Sequence, residues 1–421
     1  MTRFLFRTLT AALLSLSLAS STLAINPGFP YGDQKVRGVN LGGWLVLEPW
    51  ITPSLFDNTG NDQIIDEWTF GQFQDRGQAL NVLTQHWDTW ITESDIAAIA
   101  DAGLNHIRIP IGYWAFETAP GEPFIDGQLP YLQKAVGWAQ NHGLKVIVDL
   151  HGAPGSQNGF DNSGQKKPVP EWHSNPDNVA RTNAIIKRIA DMFKDNPATV
   201  PIIAPLNEPA GFVSPDVISV TRQYWLDSFG NIRFPFGSAQ QSDTVELIHD
   251  AFQPLSTWQG FMTPPDFQGV AMDTHVYEMF SDDGNRRSFQ DHINAACARA
   301  NDVSTFDLWL IVGEWTPAAN DCARYLNGRG VGARFDGTFP GSSRVGSCSG
   351  FTGRASSFSN DFKTFLRQHW EAQVTTYEMG EGWIQWTWKA ENADEWSYQA
   401  GLRNGWIPQD PTERQFPFIC G

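Results

Sequence analysis

Two apolar runs end on carboxylates. VPIIAPLNEP (200–209) closes on Asn207 and Glu208 and is stopped by Pro209, and LWLIVGEW (308–315) carries Glu314 near its end. Runs of this kind read as buried strands, and a proline cannot donate a further ladder bond, so Asn207 and Glu208 sit where a strand opens into something else. Two carboxyl groups on either side of a glycosidic bond are the minimum for cleaving it. One gives a proton to the leaving oxygen, and the other attacks the anomeric carbon or activates water. Comparable runs carry further polar residues near their ends. Asn40 and Glu48 come with and after KVRGVNLGG (35–43), Arg108 lies in HIRIPIG (106–112), and His151 comes at the end of KVIVDLHG (145–152). His275 and Tyr277 lie in GVAMDTHVYEMF (269–280), and Trp386 in GWIQWTW (382–388).

These runs, with TVELIHDAF (244–252), make eight strands. Helical stretches alternate with them: SDIAAIADAGL (94–104) with Ser94 as cap, PYLQKAVGWAQNHG (130–143), NVARTNAIIKRIADMFKDN (178–196) and SPDVISVTRQYWLDSF (214–229). Two more are SFQDHINAACARA and SFSNDFKTFLRQHWEAQ. Alternation implies parallel pairing. Eight units imply an α/β fold, a single (β/α)8 TIM barrel, with long rim loops at 44–93 and 316–358. The rival, an open doubly wound sheet, lacks its Gly-rich dinucleotide loop after the first strand. In a barrel the active site lies at the C-terminal strand ends, where strands four and seven face each other. Glu208 and Glu314 can then meet at the ~5–5.5 Å of a retaining mechanism.

Composition sets the surroundings. The chain has 421 residues, 41% of them hydrophobic, which suffices for a large core, and its 18 Trp are mostly core with some suited to sugar rings. The net charge of −17 argues against nucleic acid and anionic membrane as partners. Residues 1–24 read as a secretory signal: Arg3 and Arg7, then AALLSLSLAS, then Thr22-Leu23-Ala24. The mature chain, 25–421, is expected to be one secreted, extracellular or wall-associated domain. Four cysteines, Cys297, Cys322, Cys348 and Cys420, imply two disulfides with three pairings open, and no N-x-S/T sequon occurs.

Seven ordered blocks carry a resemblance. They are GVNLGGWLVLEPWITPSLF (38–56), LNHIRIPIGYWAF (104–116), DLHGAPGSQNGFDNSG (149–164), PLNEP (205–209), DTHVYEMF (273–280), VGEWTPAANDCARYLNG (312–328) and GWIQWTWKAENADEWSYQAGL (382–402). Together they resemble the fungal secreted exo-β-1,3-glucanases of glycoside hydrolase family 5. The resemblance implies an enzyme releasing glucose from non-reducing ends of β-1,3-glucan by two displacements, with some transfer to sugar acceptors. It implies Glu208 as acid/base and Glu314 as nucleophile. Asn207 is expected at the sugar 2-hydroxyl, Arg108 and Tyr277 on Glu314, and His151 and His275 lining the first sugar subsite. Trp386 is expected as its floor, Glu48 on outer hydroxyls, and Phe160 with Phe280 gripping the next sugar. It also favours the pairings Cys297–Cys420 and Cys322–Cys348. No metal or organic cofactor is implied, and a monomer is the default.

Each residue also has a plainer reading. Arg108 alone is as often a structural ion pair, and lone histidines are more often core or caps. His86, His142, His173, His249 and His369 are read as structural or surface. Trp388 sits two residues beyond Trp386 and would share its face. Glu378, Glu381, Glu391 and Glu395 are read as mostly solvated, with Glu391 reaching the rim. Asp161 and Asn162 shape their loop, and Asn162 is kept as a candidate substrate contact. Glu208 is expected to be held protonated by burial and by the nearby negative Glu314. The alternatives are a β-1,6- or β-1,4-glucanase or flavonoid diglycosidase of the same family, or a non-catalytic glucan-binding barrel.

Overall fold

The computed structural model describes residues 25–421; the signal-like segment 1–24 lies outside them. Eight parallel strands close into a barrel in chain order: β1 (Val36–Asn40), β2 (His106–Gly112), β3 (Lys145–Gly152), β4 (Ile202–Ala204), β5 (Val245–His249), β6 (Val270–Val276), β7 (Trp309–Trp315) and β8 (Gly382–Gln385). β2 and β3 match the sequence reading residue for residue. The other runs extend beyond their strands, β4 most of all, because apolar character continues into the buried turns that carry the site. Trp386 therefore lies just past β8.

Alternation along the strands builds the interior. Val36, Ile147, Ile202, Ala204, Val245, Leu247, Ala271, Ile311 and Ile384 form one buried cluster, closed at the N-terminal mouth by Phe29 and Tyr31. Successive inward positions then turn polar: His106 and Arg108, Asp149 and His151, Asp273 and His275. Period two carries each strand from an apolar plug to a polar floor.

Helices cover the outside. Pro176–Phe193 buries Ile185, Ile186, Ile189, Ala190 and Phe193, an i, i+1, i+4, i+5, i+8 stripe that packs on the sheet. Between β5 and β6 the only such element is the short 3-10 turn Leu255–Thr257. Helix Glu93–Asp101 is capped by Thr92, not Ser94, because Asp95 returns a carboxylate to the Thr92 backbone N–H at 3.0 Å.

Three other expectations change. Glu381 and Glu395 are buried, Glu381 accepting from the Gly32 N–H at 3.0 Å and Glu395 from the Thr352 hydroxyl at 2.6 Å. Glu378 is half-buried and pairs with Arg37. Trp388 is also buried, donating to Asp95 at 2.9 Å, and does not share the face of Trp386. Both disulfides form, Cys297–Cys420 and Cys322–Cys348. No helix among the described residues is long and apolar enough to cross a membrane.

Candidate active site

Two local backbone devices aim the carboxylates. After β4, Glu208 adopts φ +48°, a left-handed conformation that a non-glycine residue holds only where its surroundings over-determine it. Asn207 N–H is fixed to Leu150 O at 2.9 Å, and Pro209 follows, so the turn is clamped on both sides. In β7, Ile311 points inward and strict alternation would send Glu314 outward. The β6–β7 register slips by one: Thr274 pairs with Val312 and His275 with Glu314, skipping Gly313. That bulge swings Glu314 into the barrel mouth. Gly313 is required there, because a Cβ would lie 2.1 Å from Asp273 Oδ1, which accepts the Gly313 N–H at 2.9 Å.

Arg108, fully buried, is the hub beneath the pair. It donates to Glu314 Oε1 at 2.8 Å, Asn40 Oδ1 at 2.9 Å and Asn207 Oδ1 at 2.7 Å, and lies 3.1 Å from Asp149. Tyr277 donates to Glu314 Oε2 at 2.9 Å. His275 Nδ1 sits 2.7 Å from Glu208 Oε1 and 3.5 Å from Glu314 Oε2, while its Nε2 is 3.4 Å from Asp273. The facing oxygens of Glu208 and Glu314 are therefore at most about 6.2 Å apart, the sum of those two Nδ1 distances. Asn162 donates to Glu208 Oε2 at 3.2 Å.

The electrostatics reverse one expectation. Burial pushes the Glu208 carboxyl up, but the hydrogen bond and charge of His275, with the charge of His151, bring it below the ordinary range. His275 has carboxylates at both ring nitrogens. Burial opposes its charge, yet Glu314, Asp273 and Glu208 hold it protonated well above the ordinary imidazole range. Burial raises Glu314, opposed by the charges of His275 and Arg108 and helped by Glu208. In the unliganded site the proton expected on Glu208 is thus held by its neighbour 2.7 Å away. The sequence could not show this, since His275 lies 67 residues from Glu208.

A cavity of about 490 Å³ opens above the pair. Glu48, Phe160, Asn162, Glu208, Tyr277, Phe280, Glu314 and Trp386, all sequence candidates, line it. Arg108, Asn207, His151 and His275 do not; their side chains stand behind the wall, almost wholly buried. His151 is bonded to Asp149 at 2.7 Å and stacks on the Trp386 ring at 5.5 Å, so it supports the floor and does not line the pocket. The Trp386–Thr387 peptide is cis. Burial, then the charges of Glu314 and Asp161, push Glu48 well above the usual carboxyl range; Trp50 donates to its Oε2 at 3.0 Å and its Oε1 has no partner. Phe160 and Phe280 are 41% and 43% exposed at the mouth, joined by Phe212 at 59%.

Sequence reasoning missed several members. Asp149 and Asp273 precede His151 and His275 by two residues, and that inward period was the available signal. Trp50, Trp396, Asn327 and Arg334 line the cavity from rim segments that carry no period. His249, read as structural, packs edge-on against His275 with centroids 4.3 Å apart. Glu208, His249 and His275 come within metal-ligand reach of one another, but the His249 Nδ1 lone pair accepts the Ala251 N–H at 2.9 Å and both nitrogens of His275 face carboxylates. No free lone pair on either ring is left for a metal. A second group, Glu278, His292 and His369, lies outside the cavity, and Arg287 sits 3.0 Å from Glu278 to balance its charge.

Comparison with known proteins gives the chain its relatives. A sequence model of the family described as Cellulase (glycosyl hydrolase family 5) matches residues 72–234. The chain is 45% identical over 415 residues to the glucan 1,3-beta-glucosidase of Blumeria graminis, covering 97% of this chain and 95% of that protein. It is 45% identical over 407 residues to the probable glucan 1,3-beta-glucosidase A of Emericella nidulans, covering 96% and 97%. Among solved structures, a rutinosidase from Aspergillus niger superposes with a TM-score of 0.70 at 20% identity, over 90% of this chain and 99% of that one, a likeness of fold.

Proposed function

Because the chain belongs to glycosyl hydrolase family 5, beside the fungal glucan 1,3-beta-glucosidases it matches over nearly its whole length, we propose that it is a retaining exo-β-1,3-glucanase. It is a glycoside hydrolase; its substrate on this reading is β-1,3-glucan, cut one glucose at a time from the non-reducing end. The observation that carries the reading is the pair Glu208 and Glu314 under one cavity, with facing oxygens no more than about 6.2 Å apart, below the ~6.5–9.5 Å that inversion needs for its water.

The partners divide the roles. Glu314 is gripped by two fixed donors, Arg108 and Tyr277, which aim one oxygen at the anomeric carbon and stabilise the carboxylate as it attacks. Glu208 is bonded to a titratable partner, so its proton can come and go. In the first step Glu208, reprotonated through His275, gives a proton to the leaving oxygen as Glu314 bonds to C1. In the second, Glu208 takes a proton from water, which attacks C1 and frees Glu314. A sugar hydroxyl in place of water gives transglycosylation. Asn207 acts from behind the wall by fixing Arg108 at 2.7 Å, and Glu48 meets outer hydroxyls of the terminal glucose. Trp386 is the floor, and Phe160 and Phe280 hold the next sugar.

Residues 25–421 act as one secreted catalytic domain on this reading, working as a monomer. The test is product analysis on laminarin. Glucose alone is expected from the native chain, and a loss of turnover on the order of 10⁴ or more from Glu314→Gln. A ladder of oligomers would remove the exo assignment, and an active Glu314→Gln would remove the nucleophile.

A further inference from the structure

The cavity is open on one side and roofed on the other. Phe160, Phe212, Phe252 and Phe280, each at least 36% exposed, crowd the side of β3–β6. On the opposite side a strap from the β7 loop, 321–339, reaches across the mouth. Its Leu326, Asn327, Arg334 and Phe339 line the cavity opposite the phenylalanines, beside Glu48 and Trp50 of the β1 loop. The strap extends as far as the β3 loop, where the Lys166 ammonium comes within 2.8 Å of a Cβ built on Gly328.

The strap is stiff in itself. Asp321, buried, accepts from the backbone N–H groups of Arg334 and Phe335 and from the side chains of Asn327 and Arg334, and Cys322–Cys348 closes the loop outside it. Its most buried anchor to the β1 loop is one arginine, beside the part-buried Tyr325 hydroxyl, which donates to Asp57 Oδ1 at 2.9 Å. Arg329, 5% exposed, donates to the backbone carbonyls of Asn61 at 2.7 Å and Ile64 at 2.6 Å, with Asp62 at 3.4 Å and Asp57 at 3.8 Å. Charge-assisted bonds from a buried guanidinium are strong, and here one terminal nitrogen meets both carbonyls. The neighbouring Arg324–Asp57 pair at 2.8 Å is 57% exposed on its arginine side and contributes little.

We propose that Arg329 is a specificity-determining positioning residue: by clamping the β7 strap onto the β1 loop it seals the cavity beyond the terminal glucose, so that the chain is cut only at its end. The inference rests on the exo reading. Glucan enters past the phenylalanines and Glu208, and its last ring stops beneath the strap against Glu48 and Trp50. Arg329 touches no sugar. Without it the strap lifts, Asn327 and Arg334 lose their places, and a chain can run through.

The test uses the whole chain with Arg329→Ala and Arg329→Lys, on laminaribiose, laminarin, and laminarin oxidised by periodate. Interior β-1,3-linked residues have no vicinal diol, so periodate opens only end residues and blocks exo attack. The native chain should release only glucose from intact laminarin and nothing from the blocked form. Arg329→Ala should release oligosaccharides from blocked laminarin and raise KM for laminaribiose about tenfold, the effect of losing about 1.4 kcal/mol, with a smaller change in kcat. Arg329→Lys, which keeps the charge but loses the second terminal nitrogen that faces Asp62, should fall between, and carries the test alone if the alanine variant does not fold. A folded variant that leaves blocked laminarin intact and KM within about twofold of native overturns the proposal. If the native chain itself cuts blocked laminarin, the exo reading falls, separately from the clamp.

Discussion

At the scale of residues, His275 governs where the proton of Glu208 resides. Its two ring nitrogens face Glu208 at 2.7 Å and Asp273 at 3.4 Å, so the imidazole stays charged beyond its ordinary range and draws Glu208 below its own. On the proposed mechanism the pair then keeps one proton for the leaving oxygen up to the raised value of His275. Replacing His275 by Asn leaves that proton to a carboxyl alone. The basic limb of kcat/KM should move to lower pH by about one unit or more, while the acidic limb, set by Glu314, moves less. A pH profile on an aryl glucoside reads this directly. An unmoved basic limb would mean that the proton resides on Glu208 without help from His275. The two glutamates were legible in the sequence because each ends an apolar run. Their protonation was not, because it depends on a partner from another strand.

At the scale of elements, β7 shows why spacing could name Glu314 but not aim it. The alternation that puts Ile311 inside would turn Glu314 outward, and only the slip at Gly313 reverses it. Gly313→Ala brings a methyl group 2.1 Å from the Asp273 carboxylate, so either the bulge or Asp273 must move. The expected result is a loss of about 2 kcal/mol or more of stability in denaturant unfolding, with a marked fall in kcat. Native stability and kcat in that variant would remove the bulge from the account. Strands with clean ends, β2 and β3, were read to the residue. β4 was not, because Pro205 and Leu206 continue the apolar run past the three-residue strand into a turn that is itself buried. The rim was legible only as long segments. Its shape comes from side-chain anchors such as Asp321 and Arg329, which leave no period in the sequence.

At the scale of the whole molecule, buried titratable groups outside the site set where the fold is most stable. Burial pushes Glu395 up to about 8 and Glu381 up to about 7, so they fold in the protonated form. Their contribution is complete below the unfolded carboxyl value near 4.5 and is lost as pH rises toward 7 and 8. Burial lowers His86 and His369 to about 4, so they fold neutral. Their contribution is complete above 6.5 and is lost as pH falls toward 4. The two trends cross, and the melting temperature should peak between about pH 4.5 and 6.5 and decline from 6.5 to 8. Differential scanning calorimetry across that range checks it, and a melting temperature still rising at pH 8 would contradict it. The window suits a chain of pI near 4.9.

The central claim is that Glu314 attacks the anomeric carbon and that Glu208 then delivers water to the opposite face, the one the leaving sugar left. Proton NMR of glucose released from laminarin, recorded faster than the sugar mutarotates, tests it most directly. The account predicts β-glucose first, with the α anomer growing only as mutarotation proceeds. α-Glucose as the first product would contradict it.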